Sequence, residues 1–413
     1  MLDEKSVRRG LFLVFMIMFL DVIGIAIIMP VLPTYLEELT GASISAAAVD
    51  GGWLLVVYAG MQFLFAPLIG NLSDRFGRRP VLLASIFTFA IDNLICAVAT
   101  SFWMLFIGRV LAGISGASYG TAAAYIADVS TDENRSKNFG LMGIAFGTGF
   151  ALGPVIGGLL GELGPRVPFY GAALLAFMNF VAAFFLLPES LHRSNRRRFE
   201  FLRANPLGAL QQMRNYPGIL WVGLVFFCYW LAHAVYPAVW SFVSAYRYGW
   251  SEGQIGLSLG IYGIGSAIVM GLVLPRVVPL LGEWRTAGLG LAFSVLGLVG
   301  YSAAWQGWMV YAVIALTALE GLADPPLRSI ASAKVPADAQ GELQGALSSV
   351  SSITTIIGPL IFTQMFSYST AAGTSLPFAG TPYLLAAVIL FLGVAVFAWK
   401  VRTSPTPAFA GAP

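Results

Sequence analysis

Five ionisable residues stand inside long apolar runs of this chain: Asp21, Asp92, Arg109, Glu320 and Asp324. Placing such a group at membrane depth costs about 2.5–3.5 kcal/mol on insertion scales, so each needs a reason to be there. A desolvated carboxyl group tends to keep its proton, and a guanidinium brought near it favours release. An element with two arrangements that changes this proximity can therefore take up and release protons. Asp21 and Asp92 are the candidate proton carriers, and either can instead be a fixed counter-ion to Arg109. Arg109 itself stays charged, so it needs a partner, a wet cavity, or helix ends and backbone carbonyls that neutralise it. Glu320, Asp324 and Arg328 are spaced i, i+4, i+8 on one helical face, and Pro325-Pro326 removes backbone donors beside them. Glu320 is the deeper acid and the better candidate for a proton or substrate contact, whereas Asp324 and Arg328 can simply pair with each other.

The elements that hold these residues must be membrane helices. Of the 413 residues 58% are hydrophobic and 10% charged, against about 25% charged in soluble domains. Twelve apolar spans can be placed, at 11–36, 52–71, 80–100, 101–126, 138–162, 167–188, 217–245, 252–275, 286–305, 306–328, 342–368 and 378–400. The first is too long for a signal-peptide core and lacks a cleavage site, so it reads as an uncleaved span. Arginine and lysine crowd the termini and the connections after even-numbered spans, while the opposite side offers only Arg166 and Arg247. Both termini are therefore expected in the cytoplasm. Cys96 and Cys228 lie within spans, and His192 and His233 are far apart in sequence, so neither disulfides, a metal site nor any cofactor is expected.

A basic polar stretch divides the chain into an N-terminal bundle (1–188), a linker (189–216) and a C-terminal bundle (217–413). Shifting the sequence by 205 positions lays Gly77 on Gly282, Gly116 on Gly321, Gly140 on Gly345 and Gly153-Pro154 on Gly358-Pro359. Such an internal duplication puts a substrate site between the halves near the midplane. The run Gly70-Asn-Leu-Ser-Asp-Arg-Phe-Gly-Arg-Arg-Pro80 must be a tight aqueous turn between spans two and three.

That run resembles the signature loop of the major facilitator superfamily. Asp21 to Pro33, the Gly108-Arg109 motif, Gly147 to Gly158 and Leu187-Pro188-Glu189-Ser190 are similar to motifs of its twelve-span drug:proton antiporters. Ala124 to Asp128 and Gln340 to Gly345 add a likeness to tetracycline efflux pumps. The resemblance implies an all-α integral membrane fold of twelve helices in two pseudo-symmetric six-helix bundles. It implies a cytoplasmic gate at Asp74, Arg75, Gly77, Arg78 and Arg79; Asp128 and Glu189, at cytoplasmic helix ends, are the candidate partners of those arginines. It also implies proton coupling through Arg109, and an antiporter motif (Gly149, Gly153, Pro154, Gly157, Gly158) packed on span eight, where Gly256, Gly260 and Gly263 offer a smooth complement. Gln62, Asn93, Tyr119, Tyr229, Trp230, His233, Tyr236, Trp240 and Tyr262, with Glu320 and Asp324, are the candidate cavity lining. In one respect the pattern departs: where those pumps carry a histidine and an aspartate in helices eight and nine, this chain has Ser266 and Ser294.

The expected function is secondary active transport, a proton-coupled export of amphipathic drug-like molecules by alternating access across a bacterial inner membrane. A proton-coupled importer of a sugar or other metabolite is the alternative. No phosphate loop is present, so the chain is expected not to be an enzyme and energy must come from a gradient. One charge crossing 100 mV is worth about 2.3 kcal/mol, roughly fortyfold accumulation. The expected partners are a small-molecule substrate, protons and membrane lipid, with no nucleic acid, and the protein is expected to be a monomer.

Overall fold

With no water at membrane depth, each backbone N–H and C=O must pair within its own segment, which makes every apolar run a helix. The computed structural model describes residues 4–131, 133–197, 220–336, 339–375 and 377–403. Most of the predicted linker, 198–219, lies outside the described residues. Span one comprises Glu4–Ala26, a turn and Leu32–Thr40; spans two and three are Ile44–Phe76 and Arg78–Ala97. Span four is Phe102–Gly116 with Tyr119–Asp128, and spans five and six are Arg135–Gly161 and Val167–Leu186. Span seven is Leu220–His233 with Val235–Tyr248, and spans eleven and twelve are Gln340–Thr370 and Thr381–Thr403.

Between them, Glu252–Ala303 runs as one 52-residue apolar stretch. As a single helix it would extend about 78 Å, more than twice the hydrocarbon core of about 30 Å. It turns back at Gly282, whose φ of 75° and ψ of 165° are not helical. Spans eight and nine meet there, so the described helices make twelve crossings, as the sequence predicts. Gly77 has the same kind of backbone, φ 111° and ψ 162°, at the equivalent turn of the first half. Only glycine adopts this region readily, which explains why the repeat keeps it.

Breaks recur in pairs as well. Span four is interrupted at Ala117-Ser118, and span ten passes from Gly307–Thr317 through a 3-10 turn, Ala318–Leu322, into Asp324–Ser332. The prolines at 325 and 326 open that last helix, where their missing N–H groups cost little.

The two bundles are joined at the end away from the chain termini. Ser45 bonds Thr370 at 2.7 Å, and a Cβ on Gly52 would strike Thr363. On the other seam, Gly158 abuts the backbone of Glu252 and Gly253, Gly256 abuts the Pro154 carbonyl, and Gly263 abuts Ala151. From Gly161 to Ala151 is about 15 Å along the helix, half the membrane core. Below that depth Gly140, Gly143 and Gly147 on span five, and Gly60 and Gly70 on span two, face open space. The cleft is thus closed at the far end and open towards the termini.

One expected packing is corrected. A Cβ on Gly149, Gly153 or Gly157 would meet Val22, Ala26 or Ile27, so this stripe seats span one and not span eight. Successive residues step about 100° around a helix, and the neighbouring face, Ala151, Pro154, Val155 and Gly158, is the one that receives Gly256, Gly260 and Gly263.

Candidate functional site

Two buried polar clusters stand out, one in each bundle. In the first, small residues bring spans two, three and four together: a Cβ on Gly108 would strike Cys96, and one on Gly113 would strike the Tyr58 carbonyl. This close approach buries Asp92 to 1% exposure. Its carboxylate accepts from Asn93 Nδ2 at 2.7 Å and, weakly, from Ser115 Oγ at 3.5 Å. Arg109 stacks on the Tyr58 ring, 4.8 Å from its centroid. Among the described residues it forms no ion pair. Asp21 is partly exposed. Arg109 faces a cavity of about 40 Å³ lined by both bundles, including Tyr58, Leu54, Pro237, Ser241 and Phe242. A cavity of about 10–15 Å³ already holds a water, so this one admits water but is far below the roughly 300–1,000 Å³ of a drug-sized ligand site.

In the second cluster, the break in span ten carries Glu320, 2% exposed, between spans seven and eight. Its carboxylate accepts from Tyr262 Oη at 2.5 Å and Tyr236 Oη at 3.4 Å. His233 Nε2 lies 3.2 Å from Glu320 Oε2. The other ring nitrogen, Nδ1, is 2.9 Å from the Tyr229 carbonyl, which can only accept, so Nδ1 carries a hydrogen. Nε2 and Oε2 can then sit this close without repulsion only when one of them holds a proton. The approach is one of distance alone, since Nε2 has no hydrogen-bond partner among the described residues. Around it Tyr236 contacts the rings of Tyr262, Tyr301 and Tyr383, with centroids 5.9–6.5 Å apart.

The other predicted positions divide. Gln62 donates to the Gly116 carbonyl at 3.1 Å, beside the Tyr58 hydroxyl. Asn93 is buried inside the first bundle, where it serves Asp92 and the Phe89 carbonyl. Tyr119 is exposed, Tyr229 is buried against His233, and Trp230 leaves its Nε1 without a partner among the described residues. Trp240 is buried and donates to Ser258 at 3.0 Å. Asp324 pairs with Arg328 at 2.7 Å, one turn beyond Glu320. Ser294 is fully buried and returns its hydroxyl to the Gly290 carbonyl.

At the turn between spans two and three, Arg78 pairs with Asp74 at 2.5 Å and Asp128 at 3.2 Å. Glu189 accepts from the backbone N–H of Arg78 at 2.8 Å and of Arg79 at 3.3 Å, close over Gly77. Arg79 donates to the Phe184 carbonyl and Arg75 rests on Phe76. These bonds all lie within the first bundle, in keeping with a cleft open on this side. Tyr58, Ser115, Tyr301 and Tyr383 belong to the clusters and were not singled out in the sequence. Tyr58 had a usable signal: it lies in an apolar span within the same bundle as a guanidinium that needs a ring or an anion.

Two helical bundles closed at one end, with ionisable groups lodged at half-depth along the opening, define a multi-pass membrane transporter. The chain belongs to the major facilitator superfamily, whose family model matches residues 14–359 and 245–412. It is 40% identical over 357 residues to the tetracycline resistance protein, class C, of Escherichia coli, covering 86% of this chain and 89% of that one. Multidrug resistance protein 2 of Bacillus subtilis is 26% identical over 398 residues, covering 94% and 95%. Among solved structures, the human organic anion transporter MFSD10 superposes with a TM-score of 0.69 at 23% identity, covering 95% and 99%. A bacterial homologue of the human lysosomal transporter Spinster, inward-facing and unoccupied, gives 0.75 at 15% identity, covering 97% and 98%. At these identities the two structures speak for the fold.

Proposed function

We propose that this protein is a proton-coupled antiporter that exports amphipathic drug-like molecules from a bacterial cytoplasm, with both termini cytoplasmic. The observation that carries this reading is Arg109, buried on the Tyr58 ring, facing a cavity shared by both bundles and out of ion-pair range of Asp21 and Asp92. A guanidinium held near two carboxylic acids, yet bonded to neither, can change partner when the bundles rock. Closing the open side moves Arg109 relative to Asp92, and the change in proximity decides whether that acid keeps its proton. Glu320 and His233, 3.2 Å apart in the second bundle, are the second candidate pair for proton exchange.

The open end faces the termini, so in this orientation drug loads from the cytoplasm. Trp230, Tyr229, Tyr236 and Tyr262 supply apolar rings, and Glu320 supplies charge. The signature turn acts as the inner gate: Asp74, Arg78, Asp128 and Glu189 form a preassembled lattice against which the second bundle closes. Relatives named for tetracycline and multidrug resistance support export over import. In inverted membrane vesicles, an imposed inside-acid pH gradient should drive uptake of a fluorescent amphipathic drug, and an uncoupler should abolish it. Uptake that ignores the gradient would remove proton coupling. Single Asp21→Asn and Asp92→Asn variants that both retain gradient-driven uptake would remove those two residues from the mechanism.

A further inference from the structure

A second site lies outside the transport cleft, on the outer wall of the first bundle at the membrane surface nearest the termini. The start of span three and the chain leaving span six flank an open groove of about 500 Å³. Its polar lining is Arg79, His192, Arg193 and Arg196, with Glu189 the one carboxylate, and its apolar lining includes Phe76 and Pro80. Glu189 is already engaged by the N–H groups of Arg78, Arg79 and Leu191, and it stands 3.8 Å from Arg196. Three guanidinium groups against one occupied carboxylate leave an excess of positive charge.

Two of these guanidinium groups also have unmet hydrogen-bonding capacity. The Nε atoms of Arg79 and Arg196 are both buried and without a partner among the described residues. A buried donor left unbonded is costly, and two from different segments at one groove point to an absent acceptor. Below the groove, spans three and six pack on each other and present a ladder of rings. The Phe184 carbonyl accepts from Arg79, Phe184 lies 6.0 Å from Phe180, and Phe180 lies 4.9 Å from Phe87. Phe87, Phe184 and Phe185 are exposed along this outer wall.

We propose that this groove binds the phosphate headgroup of an anionic phospholipid, with its acyl chains lying along the Phe87–Phe180–Phe184 ladder. A phosphodiester supplies acceptor oxygens for Arg79 and Arg196 and an anion for Arg193, and the rings supply the apolar contact that a free anion lacks. Because Glu189 caps the N–H groups of Arg78 and Arg79 in the signature turn, an occupied site braces the gate from the lipid side.

The test uses the full-length protein, delipidated in neutral detergent and offered an equal mixture of phosphatidylglycerol and phosphatidylcholine. Bound lipid is counted by native mass spectrometry. Phosphatidylglycerol should be enriched, and Arg193→Gln with Arg196→Gln should cut the enrichment by about twenty-five-fold, since each arginine at an anionic surface contributes about fivefold. The Arg193→Lys, Arg196→Lys pair should keep most of it, and Arg193→Gln alone, at a side chain with no bond to disturb among the described residues, should lose about fivefold. Equal binding of the two lipids, or enrichment untouched by the glutamine variants, would overturn the site. Displacement of phosphatidylglycerol by equimolar inorganic phosphate would show a site for free anions and overturn the lipid assignment.

Discussion

Glu320 and Asp324 stand four residues apart on the same broken span, yet their surroundings set them apart. Glu320 is sealed in by two tyrosine hydroxyls and an imidazole, whereas Asp324 and its partner Arg328 keep 25% and 34% of their side-chain surface exposed. An exposed pair contributes about 0–1 kcal/mol; replacing a buried carboxyl group with an amide removes the group that can bind and release a proton. Glu320→Gln keeps the shape and one acceptor oxygen for a tyrosine hydroxyl, and its amide N–H can donate to the other, so it should still fold. Its gradient-driven drug transport should fall about tenfold or more, as for loss of a general acid–base group. Asp324→Asn should change transport by less than about twofold. Equal losses in the two variants would deny Glu320 a special role. Arg109→Lys is the companion test in the first bundle: the ammonium keeps the charge but not the flat face that covers Tyr58, a contact of about 0.5–2 kcal/mol. Its transport should drop while its elution profile on size exclusion is unchanged.

At the scale of the helices, the turns at Gly77 and Gly282 offer a matched pair. Both glycines occupy backbone that other residues adopt at roughly 1–3 kcal/mol. A Cβ at Gly282 meets nothing within 4 Å, whereas at Gly77 it falls 2.2 Å from Glu189 Oε2. Gly77→Ala must therefore also displace the carboxylate that caps Arg78 and Arg79, at about 1.5–3 kcal/mol for each charged bond lost. Thermal melts in detergent should show the larger drop for Gly77→Ala, and a larger drop for Gly282→Ala would contradict the assigned turn. On span eight, Gly256→Ala pushes a methyl group to 2.2 Å from the Pro154 carbonyl, where neither backbone can give. It should destabilise by about 1–3 kcal/mol. Gly147→Ala, facing the open cleft, should be neutral or gain up to about 1 kcal/mol from helix propensity.

Much of this architecture could be read in the chain before any coordinate. Apolar run length gave the spans, the 205-residue offset gave matching glycine turns, and membrane depth marked Asp92, Arg109 and Glu320. Spacing also placed the break beside Pro325, because a missing donor acts on its own helix. What escaped was the identity of partners across helices. The stripe of Gly149, Gly153 and Gly157 showed a smooth face but not which neighbour it meets, and it meets span one. Tyr301 and Tyr383 join Tyr236 only because spans nine and twelve converge there. Helix rotation about its axis leaves no trace in a stretch that is apolar on all sides.

For the molecule as a whole, the two bundles must separate at the far end if the cleft is to open there. Ser45 and Thr370 span that seam, with side-chain oxygens 2.7 Å apart. The Ser45→Cys, Thr370→Cys pair, oxidised, should stop transport, and reduction should restore it; undiminished transport by the cross-linked protein would mean that the far end does not open. The most direct test of exchange is the sign of the proton movement. Purified protein in liposomes holding a pH-sensitive dye should turn the lumen alkaline when an amphipathic drug is added outside, since each drug molecule entering sends protons out. A lumen that turns acidic under the same addition would mean proton and drug travel together, and proton-coupled antiport would be contradicted.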